Sequence, residues 1–273
     1  MSGRLPHPAL AGPPLAFAHR GHTPTAHDPD GSHAWENTVA AFEAAVALGI
    51  THLETDVHAT RDGVAVVLHD PDLRRTTGRP GRVERLTWRE VATYRVAGLH
   101  AVPRVEEVLE ALPGVVLNVD VKAAAAAVPL ADAVRHARAE DRVVVAAFDG
   151  RRARAAQRAA PGVARSAGTA SVAATRLATE VARVSAPAAR ALVRATLAGA
   201  DALQVPLRAR RVEVVTPLLL DVVHEVGAQV HVWTVDDPAE MHRLLDLGVD
   251  GLMSDRADVL ARVMNGRGHG RAL

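Results

Sequence analysis

Residues 51–70 read THLETDVHATRDGVAVVLHD, and the fold turns on how the two β-rich runs inside this stretch, 51–57 and 64–68, are joined. Parallel strands need a crossover of a dozen residues or more, whereas the gap 58–63 is short and holds the tight-turn pair Asp62-Gly63. The second run is therefore expected to fold back antiparallel against the first, returning His69 toward the end of the strand it left. Outward from here, β-rich runs recur at 15–18, 115–121, 142–146, 163–167, 202–205, 229–234 and 251–254. Helical periodicity fills 36–48, 105–112, 131–139, 151–159, 212–226 and 238–247. Strand followed by helix, repeated, predicts a parallel sheet. With the hairpin arm set aside, eight of the nine runs remain, which is the number that closes an α/β (β/α)8 TIM barrel carrying a β-hairpin extension after strand two. An open doubly wound sheet is the competing layout, and it lacks the expected Gly-rich phosphate loop after the first strand.

The chain has 273 residues, an ordinary length for one such barrel, with 48% hydrophobic and 23% charged residues. A single domain over 15–262 is expected, with an N-terminal segment 1–14 and a flexible Gly- and Arg-rich tail 263–273. The net charge of +1 is spread over 32 basic and 31 acidic residues, so no basic face for nucleic acid is expected. With no cysteine, disulfides, thiolate metal sites and a cysteine nucleophile are excluded. The apolar run 9–18 could pass for a secretion signal, but only Arg4 precedes it as a charge, Pro13 and Pro14 break it, and its apparent cleavage point abuts residues needed for chemistry. No stretch is long and apolar enough for a membrane span. The expectation is a cytoplasmic protein without stable membrane insertion.

In a barrel of this kind the active site lies at the carboxyl ends of the strands, and polar residues cluster there. Strand one ends in His19-Arg20-Gly21, strand two carries Glu54 and Asp56, the hairpin ends in His69-Asp70, and the next strand carries Asp120 and Lys122. Alternate strand residues share a face, so each pair can point inward together. Three converging carboxylates, Glu54, Asp56 and Asp120, would repel one another without a compensating cation. Oxygen donors favour Mg²⁺ or Ca²⁺, which ligand type alone does not separate, while salt bridges to rim arginines are the plainer alternative. Lys122 is the only lysine beside 31 arginines, and a compact ammonium enters crowded sites closed to a guanidinium. His19 and His69 are candidates for general acid and base in phosphodiester cleavage, with Arg20 neutralising phosphate charge. His69 is favoured as the acid, because a hairpin end can reach the leaving group from outside the barrel. His22, His27, His33 and His58 read as loop or rim residues.

The ordered series His19-Arg20-Gly21, Glu36-Asn37-Thr38, Glu54-Thr55-Asp56-Val57, Asp62-Gly63, His69-Asp70, Asn118-Val119-Asp120-Val121-Lys122, Val232-Trp233-Thr234, Gly248-Val249-Asp250-Gly251 and Ser254-Asp255 resembles the glycerophosphodiester phosphodiesterase family. The resemblance implies that His19 and His69 are the catalytic histidines and that Glu54, Asp56 and Asp120 are the metal ligands. It makes Arg20 and Lys122 the phosphate-binding cations. Glu36 and Asn37 would line the site, Glu36 as a possible further ligand, and Trp233 would wall the substrate pocket. The implied reaction is hydrolysis of a small-molecule glycerophosphodiester to sn-glycerol 3-phosphate and an alcohol, by water directly or through a cyclic phosphate. The same site could instead serve a lysophospholipid cleaved on its alcohol side, or a non-catalytic phosphate-ligand binding protein. Against the family pattern stand a long loop 22–35, Trp35 where proline is common, and Asp120 where glutamate is common. The segment 76–103 is also short, so no helical insertion is expected there.

Overall fold

The structure, a computed structural model, describes residues 7–12, 14–23, 35–209 and 211–268. Nine strands form its main sheet: β1 Leu15–His19, β2 His52–Ala59, β3 Ala65–Val67, β4 Val116–Val121, β5 Val143–Ala146, β6 Ala164–Ala167, β7 Ala202–Pro206, β8 Gln229–Trp233 and β9 Gly251–Ser254. All nine expected strands are present. β1 pairs in parallel with both β2 and β9, so the sheet closes on itself and the open doubly wound alternative is overturned. β3 lies antiparallel on β2, with Val57 opposite Val67, and stands outside the eight parallel strands.

Successive strand residues face opposite sides. In β2 and β4, Leu53, Val57, Leu117, Val119 and Val121 pack outward with Phe42, Val105, Val108, Leu130 and Val134 of the surrounding helices. Glu54, Asp56, Asn118 and Asp120 face the other way. Register then sets their heights: His19 is opposite Glu54, Glu54 opposite Asn118, and Asp56 opposite Asp120. The far end of the barrel is filled by Phe17, Val144, Ala164 and Ala202, with Ala9 and Leu10 of the turn Pro8–Leu10 inserted from below. The segment preceding β1 thus plugs the barrel, a role composition did not announce.

Several expected boundaries move. The helix expected over 212–226 begins at Pro217, because Thr216 is extended before proline and its hydroxyl caps the Leu219 amide. Val212–Glu213 instead pairs with Arg208–Ala209. The helix expected at 131–139 runs Ala127–His136. Three helices, Thr169–Thr179, Ala186–Leu197 and Ala257–Gly266, were not expected as such, and the last runs past the tail boundary placed at 262. The segment 76–103 was expected to carry no helical insertion, yet it is folded. One-turn helices Arg74–Thr77 and Trp88–Val91 and a ribbon pairing Arg95–Val96 with His100–Ala101 share a small core of Leu73, Val83, Val91, Tyr94, Val96 and Val102 laid over Val66 and Leu68. Helix length is set there by this core and by the Thr87–Glu90 capping box. Among the described residues no helix is long and apolar enough to cross a membrane. Most of the loop 22–35, including His27 and His33, the N-terminal residues 1–6, Pro13 and the tail 269–273 lie outside the described residues.

Candidate active site

At the carboxyl ends of the strands a cavity of about 370 Å³ is lined by His19, Arg20, Glu54, Asp56, His69, Asn118, Asp120 and Lys122 on one side. Ala146, Ala147, Phe148, Ala167, Val172, Pro206 and Trp233 line the other. The wall is thus charged on one side and largely apolar on the other, with Ser166, Thr169, Gln204 and Thr234 adding uncharged polar groups.

His69 reaches the cavity because the hairpin returns: the Leu68 amide donates to the Asp56 carbonyl at 3.0 Å, and His58 Nε2 lies 3.0 Å from the His69 carbonyl oxygen. His58, read as a rim residue, is buried and holds that return in place. Burial lowers its pKa.

The two candidate histidines are held in the same manner. His19 Nδ1 lies 2.5 Å from Asp255 Oδ1, and His69 Nδ1 lies 2.7 Å from Asp70 Oδ1. A carboxylate at Nδ1 fixes the proton there and leaves Nε2 for chemistry. Burial disfavours charge on His19, but Glu54, whose Oε2 lies 3.7 Å from Nε2, and Asp255 outweigh it and push the pKa up to about 9. Glu54 is itself pushed up to about 8, first by burial and then by Asp56, against the pull of His19 and Arg20.

Lys122 Nζ stands 2.7 Å from both Asp56 Oδ1 and Asp120 Oδ2. Burial opposes the charge on Asp56, yet Lys122 and Arg20 hold its pKa below the ordinary value. Asp120 is raised, chiefly by burial, and its Oδ1 is buried with no hydrogen-bond partner. The three carboxylates line one cavity but do not form a tight trio of ligand atoms. The one His/carboxylate trio among the described residues whose ligand atoms all lie within 4.8 Å of one another is Glu106, Glu110 and His136, on the barrel's outer flank. Lys122, wedged between Asp56 and Asp120, is the visible reason.

Arg20 and Asn37 both take left-handed backbone, with φ of 58° and 59°, an uncommon conformation for residues with a Cβ. Gly21, with φ of 89°, completes the turn against Ala41, where an added Cβ would lie 2.7 Å from backbone carbon. The Arg20 amide donates to the Glu54 carbonyl at 3.0 Å, and the turn directs the guanidinium to Glu36 Oε1 at 3.2 Å and Asp56 Oδ2 at 3.4 Å. Asn37 Nδ2 donates to Asp56 Oδ2 at 3.0 Å and its Oδ1 accepts from Thr55 Oγ1 at 2.7 Å, so it orients a carboxylate from outside the cavity lining. Glu36 is 2% exposed and also lies outside that lining. Its Oε1 serves Arg20 and Arg75, while its Oε2 is buried without a partner.

Trp233 is at the cavity wall, its ring edge-on to Phe148 at 5.7 Å. Sequence reasoning did not single out Phe148, Asp255 as a histidine partner, or Arg75. Asp255 stood in the quoted Ser254-Asp255 pair without a role, and an aromatic just past the end of β5 was the available signal for Phe148.

Residues 19–259 match the model of the glycerophosphoryl diester phosphodiesterase family. A probable glycerophosphodiester phosphodiesterase 2 of Mycobacterium tuberculosis is 40% identical over 255 residues, covering 93% of this chain and 92% of that one. The solved glycerophosphodiester phosphodiesterase of Agrobacterium tumefaciens superposes with a TM-score of 0.74 at 25% identity, over 92% of this chain and 99% of its own. A phosphodiesterase of Oleispira antarctica, solved with the product sn-glycerol-3-phosphate, shares the fold at a TM-score of 0.75 and 20% identity, over 94% and 99% of the two chains. On the ordered motifs, the closed barrel and the family match together, the chain belongs to the glycerophosphoryl diester phosphodiesterase family, hydrolases of phosphoric diesters.

Proposed function

We propose that this protein hydrolyses glycerophosphodiesters to sn-glycerol 3-phosphate and an alcohol, with His19 and His69 exchanging protons with the substrate. The observation that carries the reading is the pair of imidazoles on one cavity, each with Nδ1 against a carboxylate, beside the cations Arg20 and Lys122. Nε2 of one histidine removes a proton from the nucleophile, either water or a glycerol hydroxyl whose cyclic phosphate water then opens, while Nε2 of the other returns one to the departing alkoxide. Arg20 and Lys122 hold the phosphate oxygens, and Trp233 supplies an apolar wall for the carbon skeleton. His69, at the half-exposed hairpin end, is assigned to the leaving group.

The carboxylates fit a divalent cation. Glu54 pushed up to about 8 and the orphaned Asp120 Oδ1 are signs of a cluster short of positive charge. Glu54 and Asp56, with Asp120, would hold Mg²⁺ or Ca²⁺, with Glu36 a possible further ligand through its free buried oxygen. When bound, such an ion neutralises developing charge on the phosphate. A cytoplasmic location and a single domain that takes in the turn Pro8–Leu10 and the helix Ala257–Gly266 complete the reading.

The test is a release assay over a panel of glycerophosphodiesters, one lysophospholipid and a nitrophenyl phosphodiester, after chelation and after return of Mg²⁺ or Ca²⁺. Activity is expected to vanish with chelator and to return with metal. His19→Ala and His69→Ala should each lose about 10²- to 10⁴-fold, with the nitrophenyl substrate, which needs little protonation, rescuing only the variant that lacks the acid. Full turnover in excess chelator would rule out the metal, and wild-type rates in both variants would rule out the histidines. Rescue of His19→Ala alone would reverse the two roles.

A further inference from the structure

We infer that Arg75, on the one-turn helix Arg74–Thr77 beyond the hairpin, is a positioning residue that locks His69 into its working orientation by clamping Asp70 to the buried Glu36. The inference rests on the reading of His69 as a proton-transfer group and adds to it a residue assigned no role by the motif resemblance.

The geometry is a continuous chain of charge-assisted contacts. Asp70 spends Oδ1 on His69 Nδ1 at 2.7 Å, and its Oδ2 lies 2.5 Å from Arg75 Nε. With both oxygens engaged, the carboxylate cannot rotate away from the imidazole without breaking a second ionic contact. Another donor of the same guanidinium, Nη2, reaches Glu36 Oε1 at 2.6 Å. Glu36 shares that oxygen with Arg20 Nη1 at 3.2 Å. The chain therefore runs from a half-exposed histidine to an anchor inside the protein. His69 and Asp70 are on the yielding side of it, at the end of the hairpin, with side chains 33% and 28% exposed.

Arg75 is absent from the cavity lining, so it acts through its partners and not on substrate. Its Nε and Nη2 address two carboxylates from separate points of one rigid plane, a spread of donors that the single nitrogen of an ammonium lacks. Asp70 is held below the ordinary carboxylate pKa by Arg75 and His69 against the effect of burial, consistent with a carboxylate committed to cations on both sides. The folded insertion acquires a purpose from this contact. Its small core of Leu73, Val83, Val91 and Tyr94 fixes the short helix that presents Arg75.

Arg75→Met and Arg75→Lys are compared with His69→Ala in the full-length, metal-supplemented protein, on an alkyl glycerophosphodiester and on a nitrophenyl phosphodiester. Arg75→Met is expected to lower kcat by about 10-fold or more, within the 10²- to 10⁴-fold that the imidazole itself supplies, with KM changed little. It should show the same dependence on leaving group as His69→Ala, to a smaller degree, and Arg75→Lys should recover only part of the rate. Nitrogen-15 NMR of the His69 ring should show the single tautomer of the wild-type protein becoming a mixture in either variant, a readout that a loss of stability alone would not move. Should Arg75→Met not fold, Arg75→Lys and its ring spectrum carry the test. Wild-type kcat and an unchanged tautomer in the folded variants, with His69→Ala inactive, would overturn the clamp and leave the histidine role standing. Wild-type turnover in His69→Ala would overturn the underlying reading instead.

Discussion

His231 offers a measurable pH dependence of stability. It points into the barrel from β8, fully buried, its ring 5.0 Å from Phe17, with Nε2 2.9 Å from Gln229 Oε1 and Nδ1 3.4 Å from Gln204 Nε2. Burial pushes its pKa down from 6.5 to about 4, with Asp250 resisting and His52 adding to the fall. In the unfolded chain the ring titrates near 6.5. Between those values the unfolded chain binds a proton that the folded chain refuses, so folding stability falls as pH drops through 6.5 and the loss is complete below about 4. At about 1.36 kcal/mol per pH unit, the whole gap is worth about 3 kcal/mol, and about 2.5 kcal/mol of it develops between pH 7 and 4.5. That is a large share of the roughly 5–15 kcal/mol of a typical domain. His231→Asn keeps an acceptor for Gln204 where Nδ1 stood, loses the donor to Gln229, and does not titrate in this range. Its lost contacts, ring packing against Phe17 included, are a constant offset, and the other 13 of the 14 histidines are common to both proteins. The assay is urea unfolding of both proteins at pH 7, 6, 5 and 4.5, read as the difference in unfolding free energy. The variant's deficit at pH 7 should shrink by about 2.5 kcal/mol at pH 4.5. Parallel stability curves across that range would refute the assignment of a neutral, buried imidazole.

Lys122→Arg should lower kcat/KM by about 10-fold or more with little change in thermal midpoint. Nζ occupies a point 2.7 Å from two carboxylates that a planar guanidinium cannot share; wild-type kinetics would make the lone lysine an accident of composition. Gly21→Ala should destabilise by about 1–3 kcal/mol from its left-handed backbone alone, and by more from the 2.7 Å approach to Ala41. An unchanged urea midpoint in that variant would mean that the turn after His19 relaxes freely.

The strands were legible as short runs between helical segments, several of them β-branched, such as Val116–Val121 and Val143–Ala146, and the hairpin was legible from Asp62-Gly63. The helices Thr169–Thr179 and Ala186–Leu197 were not. The first buries only Thr175, Ala178 and Thr179 while Leu177 is exposed, and the second buries Ala189, Val193 and Leu197 while Leu192 is exposed. A hydroxyl pair, Thr175 with Thr196 at 2.7 Å, occupies contact space where periodicity looks for leucine. At the site, the residues at strand ends were legible because the barrel dictates where strands deliver their side chains. Their partners were not, since Asp255 reaches His19, and Arg75 reaches Glu36, only through closure of the sheet and folding of the insertion. Left-handed backbone at Arg20 and Asn37 leaves no composition signal at all. Nor could ligand chemistry reveal that Lys122 separates Asp56 from Asp120.

The contact between His19 and Asp255 joins the first strand to the residue just after the last, 236 positions apart. A ribosome must therefore release nearly the whole chain before this imidazole has its partner, and contacts of such long range form late and slowly. Turnover is in that sense a report that the ring has closed. A fragment ending before β9 can hold most of the strands and most of the cavity residues, and its first histidine will still have no carboxylate at Nδ1.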